Sequence, residues 1–224
     1  MPDRPPTGGS SDCGNNGLME LFTHWHTAAA AESGLRERLP GRRVGALMQA
    51  VAFAAQQHGD QRRPTGAPYL EHLLEALEIL VAGAKITDPA VLTAVILHDV
   101  VEDTSCTNAR IAATFGPRVA ELVGWVTIGE PGPGEDRRAV KQASLARLAQ
   151  APRDAVLVKL ADRASNVQTL RNLPLARRRS YYAQTVTYIV PLAAGEPWFR
   201  SWYQDWQAAH ADLALTPQGQ VAPG

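Results

Sequence analysis

The run AVLTAVILHDVV, residues 90–101, is apolar at almost every position and follows Asp88-Pro89, a capping side chain ahead of a proline suited to a first helical turn. Composition alone would also allow a buried strand, but the length and the cap favour a helix, and a helix apolar on all sides is a buried one. The flanking sequence is helical as well. From Arg42, the residues Val44, Leu47, Met48, Val51 and Ala55 recur at helical spacing up to His58-Gly59, where glycine can close the helix. A second pattern opens at Pro68 and runs through Leu70, Leu73, Leu74, Leu77, Leu80 and Val81 to Gly83.

Further on, 107–114 and 117–126 read as short helices either side of Phe115-Gly116, and 136–150, 154–172, 176–194 and 197–213 carry helical spacing bounded by Pro or Gly. No NG or DG hairpin with alternating flanks occurs, and no repeat of 20–50 residues is visible. The expectation is an all-α single domain. Residues 1–17 and 214–224, rich in Pro, Gly and polar residues, read as disordered tails. Between them lie a helical extension at 18–41, the main unit at 42–195 and an aromatic helix at 196–213. Trp198, Phe199, Trp202, Tyr203 and Trp206 on that helix pack on the core or, as the sharper reading, form a homodimer or partner face.

Twenty-two Lys+Arg balance 22 Asp+Glu, which removes the broad basic footprint of a nucleic-acid binder but leaves room for a local anion pocket. Among the cations only Lys85, Lys141 and Lys159 are lysines, so arginine dominates, as suits planar contacts to phosphate or a base. No apolar stretch reaches membrane-spanning length and no signal peptide is visible, so a cytoplasmic protein is expected. Cys13 and Cys106 lack any metal-binding or redox spacing.

The chemistry concentrates where polar groups interrupt apolar helices: His98-Asp99 in VILHDVV and Asp162 in VLVKLADR. Burying a carboxylate without a partner costs several kcal/mol, so each must meet a cation. Either these residues, with a further histidine, hold a divalent metal, or His98-Asp99 is a hydrogen-bonded pair and Asp162 an ion pair with an arginine. An imidazole and carboxylate set without thiolate suits Mn²⁺, Fe²⁺ or Zn²⁺. Glu102 and Asp103 follow one turn later on the same two faces and could exchange protons with a metal-activated water, or else form a solvated helix end. Asp162, Asn166 and Thr169 share a face at i, i+4 and i+7, from which the last two could reach a ligand. His24 and His26 flank Trp25 as an HxH pair, but surface exposure is the simpler reading.

The segments HGDQRRPTGAPYLEH (58–72), ILHDVVEDT (96–104), FGPRVAELV with VT (115–127) and KLADRASNVQTLRNLP (159–174) resemble, in order, the hydrolase domain of the RelA/SpoT alarmone enzymes. The resemblance covers about residues 42–195. It implies an all-α helical bundle of the HD superfamily in which one Mn²⁺, or another divalent metal, serves removal of pyrophosphate from the 3′ position of ppGpp or pppGpp. It assigns His72, His98, Asp99 and Asp162 to the metal, and Glu102 and Asp103 to water activation and proton transfer. Arg63 would pack on the guanine, and Asn166 and Thr169 would contact the nucleoside. Arg62, Lys159 and Arg163 are further cations placed to offset phosphate charge, and His58 would organise its loop.

The residues beyond 195 are too few for the nucleotidyl-transfer domain of the bifunctional members, so a hydrolase-only protein is expected. Leu73, Ala67, Ile128 and Ala164-Ser165 depart from the family pattern at the pocket wall and loop, which bears on substrate choice. NADPH, losing its 2′-phosphate, or another nucleotide is therefore the alternative substrate. A nucleotide sensor that has lost turnover is the alternative of another class.

Overall fold

The computed structural model describes residues 19–214, which fold as helices joined by short turns. These are α1 (Ala28–Arg36), α2 (Gly41–His58), α3 (Leu70–Glu78), α4 (Pro89–Leu97), α5 (Val100–Asp103) and α6 (Asn108–Phe115). They continue with α7 (Pro117–Val126), α8 (Arg137–Arg147), α9 (Arg153–Gln168), α10 (Leu175–Gln184) and α11 (Pro197–Ala209). Among the described residues no strand forms; an isolated bridge joins Arg62 to Pro68. The all-α, single-domain expectation holds. No helix among these residues is long and apolar enough to cross a membrane.

Helix α4 is the hub. Its first turn is closed by Asp88, whose side chain accepts from the N–H groups of Ala90 and Val91. Beyond the cap, Val91, Leu92, Ala94, Val95, Ile96 and Leu97 are all buried against α2, α3, α7 and α9. Removing each large aliphatic side chain from water contributes up to about 1.5–3 kcal/mol, so the buried run anticipated from sequence holds the bundle together.

Three boundaries differ from the sequence reading. Pro68 lies in the bridge with Arg62 and not in the helix; α3 begins at Leu70, and its last turn widens into a π-helical turn at Ile79–Gly83. There the backbone runs under Trp198, and a Cβ on Gly83 would come within 2.4 Å of that ring. The run 90–101 is not one helix: α4 stops at Leu97, and the chain turns at His98-Asp99 before α5. His98 Nδ1 donates to Val95 O at 2.7 Å, a side-chain bond to the last turn at the point where the helix ends. Helix α9 ends at Gln168, so Thr169 occupies its C-cap, with φ −108° and ψ 28°, and does not extend the face of Asp162 and Asn166.

The flanks belong to the same core. Phe22 is clipped by both amide atoms of Gln168: its N–H donates to Oε1 at 2.8 Å and its carbonyl accepts from Nε2 at 2.9 Å. Glu78 accepts from the backbone N–H groups of His24 and Trp25, and Trp202 Nε1 donates to Glu20 O. Phe199, Trp202, Tyr203 and Trp206 are buried within their own chain, so the core-packing reading of α11 is the one the fold bears out. His24 and His26 are exposed, with the His24 ring against Glu78. Cys106 is a buried free thiol, whereas Cys13 and the tails expected at 1–17 and 214–224, apart from Ala214, lie outside the described residues.

Candidate metal centre

Helix α3 supplies His72, the turn after α4 supplies His98 and Asp99, and α9 supplies Asp162. The sequence places these residues far apart, and the packing of α3, α4 and α9 on one another brings them together. His72 Nε2 lies 3.2 Å from His98 Nε2, 3.4 Å from Asp99 Oδ2 and 3.4 Å from Asp162 Oδ1. His98 Nε2 lies 3.1 Å from Asp99 Oδ2 and 3.4 Å from Asp162 Oδ1.

Two ring nitrogens facing each other and two carboxylates, all but dry, repel one another unless a cation sits among them. His98 Nδ1 already spends its proton on Val95 O, so in the neutral ring Nε2 presents a lone pair to the cluster. Separations of 3.1–3.4 Å are those between neighbouring ligand atoms wrapped round an ion about 2.1 Å from each. The donor set therefore fits a divalent metal, and His72, His98 and Asp99 form a group that could hold one. Protons substitute for the ion electrostatically. Burial opposes charge on His98, yet the Asp99 and Asp162 carboxylates hold it well above the ordinary imidazole value, and His72 is raised in the same way. Burial likewise works against Asp99 and Asp162, but the imidazoles, and for Asp162 chiefly Lys159, keep both below the usual carboxylate range.

The surroundings tie each ligand down. Tyr69 Oη donates to Asp99 Oδ2 at 2.5 Å, and the ring of Tyr69 stacks on His58 at 4.6 Å between centroids. His58 in turn bonds Gln61 at 2.7 Å, so it organises its loop as expected. Lys159, buried, pairs with Asp162 Oδ2 at 2.7 Å, and Asn166 Nδ2 donates to Asp162 Oδ1 at 2.6 Å. Both were expected at the substrate; here they also hold the Asp162 carboxylate. Arg63 is bound to Glu75 at 2.9 Å, and Arg62 to the Gly66 carbonyl. Arg163 is buried, with its guanidinium on Thr185 and the face of Tyr181.

Glu102 and Asp103 stand on α5, exposed beside the cluster. The helix break at His98-Asp99 removes the continuous helix on which their shared faces were argued, though Asp103 N–H still donates to Asp99 O at 2.8 Å. Glu102 Oε2 accepts from Ile128 N–H at 3.0 Å. Desolvation raises Glu102 above the ordinary carboxylate value, partly offset by that N–H. A cleft of about 410 Å³ opens at Glu102, walled by Thr127, Ile128, Arg137 and Lys141. Burial, then Arg163 and Lys159, push Lys141 below its ordinary value.

Sequence reasoning passed over Tyr69, Glu75, Ser165 as a bonding partner, Arg137 and Lys141. Glu75 could have been found by the signal that found Asp162, a carboxylate inside an apolar helix. Arg137 and Lys141 sit on α8, whose face toward the core is thin, and nothing in their spacing points to a cleft.

Residues 50–196 match the model of the HD domain family. The chain is 39% identical over 135 residues to human guanosine-3′,5′-bis(diphosphate) 3′-pyrophosphohydrolase MESH1, covering 58% of this chain and 72% of that protein. It is 36% identical over 149 residues to the guanosine-3′,5′-bis(diphosphate) 3′-pyrophosphohydrolase of Aquifex aeolicus, and 35% identical over 150 residues to the GTP pyrophosphokinase rsh of Brucella ovis. Each of these two alignments covers 66% of this chain, but only 21% and 20% of the respective relatives, so the chain spans about a fifth of their length. Among solved structures, a metazoan ortholog of SpoT described as hydrolysing ppGpp superimposes with a TM-score of 0.67 at 29% identity, covering 77% of this chain and 97% of that one.

Proposed function

This chain belongs to the HD-domain family, and from that premise we propose that it is a Mn²⁺-dependent hydrolase that removes pyrophosphate from the 3′ position of ppGpp or pppGpp, yielding GDP or GTP. The observation that carries the proposal is the convergence of His72, His98, Asp99 and Asp162 beside a cleft that holds Glu102 at one wall and Arg137 and Lys141 at another. Its likeness to relatives named for this reaction supports the choice of substrate.

In this reading the four converging residues hold the metal, which when bound acts as a Lewis acid on the phosphoryl group and acidifies water. Glu102 takes the proton of the attacking water. Its carboxyl is aimed by the Ile128 N–H, and its raised pKa brings it closer to the operating pH, where a general base works best. Asp103, beside it on α5, serves the departing 3′ oxygen. Arg137 and Lys141 offset phosphate charge, with Lys159 acting at one remove by neutralising Asp162. Arg63 presents its planar guanidinium to the base, and Asn166 and Thr169 border the nucleoside.

The test is anion-exchange separation of products after metal-free protein is incubated with ppGpp, with and without Mn²⁺, beside a parallel sample of NADPH. GDP and pyrophosphate formed only with Mn²⁺ is the expected result. Phosphate released from NADPH alone transfers the site to cofactor dephosphorylation, and binding of ppGpp by calorimetry without product makes the protein a sensor.

A further inference from the structure

His98 and His72 both turn Nε2 inward, but their outer nitrogens are held by different means. His98 Nδ1 bonds a backbone carbonyl. His72 Nδ1 lies 2.8 Å from Ser165 Oγ, and that hydroxyl donates to Glu75 Oε2 at 2.6 Å. The other oxygen of Glu75 is taken by Arg63 Nη1 at 2.9 Å. His72, Glu75 and Ser165 are all buried, so no water relaxes the choice of donors. A serine hydroxyl has one proton. Spent on Glu75, it leaves Ser165 Oγ able only to accept from His72, which puts the ring proton on Nδ1 and the lone pair on Nε2.

We propose that Glu75 and Ser165 are positioning residues that fix His72 in its metal-binding tautomer, and that Arg63 anchors this relay by holding the other oxygen of Glu75. The inference rests on the metal reading above and adds to it a role for Ser165 and Glu75, which sequence reasoning had not given them. Arg63, expected only at the base, is thereby tied to the metal side as well, through its bond to Glu75.

The relay makes an isosteric change more damaging than a deletion. In Glu75→Gln, Arg63 still requires an acceptor, so the amide oxygen stays toward it and the NH₂ faces Ser165. Ser165 then accepts from Gln, and its freed proton goes to His72 Nδ1 at 2.8 Å in preference to the His72 carbonyl at 3.5 Å, which moves the ring proton to Nε2 and blocks the ligand atom. Ser165→Ala only removes an acceptor.

The experiment titrates Mn²⁺ into the metal-free full chain and reads free ion by electron paramagnetic resonance. Loss of outer partners of a ligating histidine lowers affinity by about 10- to 100-fold. Ser165→Ala is expected near the lower figure and Glu75→Gln near the upper. The double variant should match Ser165→Ala, because without the hydroxyl the reversed polarity has no route to His72. Glu75→Gln binding within twofold of the unaltered chain, or a double variant whose loss is the product of the single losses, overturns the relay. An unaltered chain that binds no Mn²⁺ overturns the metal reading, and the relay with it.

Discussion

The two sides of the cleft are built on different principles. On the candidate metal side each ligand is held by a short bond from a buried or half-buried neighbour: Tyr69 on Asp99, Lys159 and Asn166 on Asp162, Val95 on His98, and Ser165 on His72. On the side proposed for the nucleotide stand Arg137, exposed, and Lys141, half-buried, on a helix with a single buried residue, Leu145, together with a loop that contains Pro131 and Gly132. Rigid burial fixes where an ion sits. Long, partly solvated cations adapt to whichever phosphates arrive, so chemistry and substrate choice are free to change separately.

The comparison breaks most visibly at Asp162. Asp162→Ala should abolish turnover and cost about 3–5 kcal/mol of stability in urea unfolding, because it strands Lys159 in the interior. Adding Lys159→Met should recover the stability and none of the activity; recovery of neither would mean that the pair is not what holds α9 in place. Glu102→Gln sharpens the contrast from the other side. We expect kcat to fall about 100- to 10 000-fold with Mn²⁺ affinity and melting temperature unchanged, and a loss of Mn²⁺ binding would make Glu102 a ligand. Arg63→Ala should raise KM about tenfold through loss of base stacking and, because it frees Glu75, also weaken Mn²⁺ binding; an unchanged KM would remove Arg63 from the base.

The smallest effect is on pH. In the metal-free protein the imidazoles are raised above 6.5 and Asp162 lowered below 3.8. The stability contributed by the imidazoles is complete below 6.5 and is lost as pH rises through their raised values. The stability contributed by Asp162 is present above 3.8 and lost as pH falls through its lowered value. Melting temperature should therefore be flat between these limits and decline on both sides. Mn²⁺ should remove the alkaline decline, since the neutral ring is the ligand form. A melting temperature that climbs above pH 7 without metal would contradict the clustered geometry.

What the sequence revealed follows the same division. Burial leaves a trace in sequence, because a polar residue in an apolar helix is conspicuous; His98, Asp99 and Asp162 were found that way. His72 was not, and needed the resemblance to choose it among the histidines, since its helix resembles any amphipathic one. The break at His98-Asp99 was invisible because neither residue is a helix breaker. The partners of Arg63, Lys159 and Asn166 were not legible either: an arginine bound to a buried glutamate twelve residues on reads the same as one without it.

Phe22 is stitched to Gln168, six residues from Asp162 on the same helix, while α11 covers the seam from the other side. The family match runs from 50 to 196 and includes neither Phe22 nor α11. The packed unit is thus larger than the stretch that matches the family model. In hydrogen exchange, the amides of Phe22, His24 and Trp25 should open with those of α9. An insertion between residues 19 and 27 should be felt at Asp162.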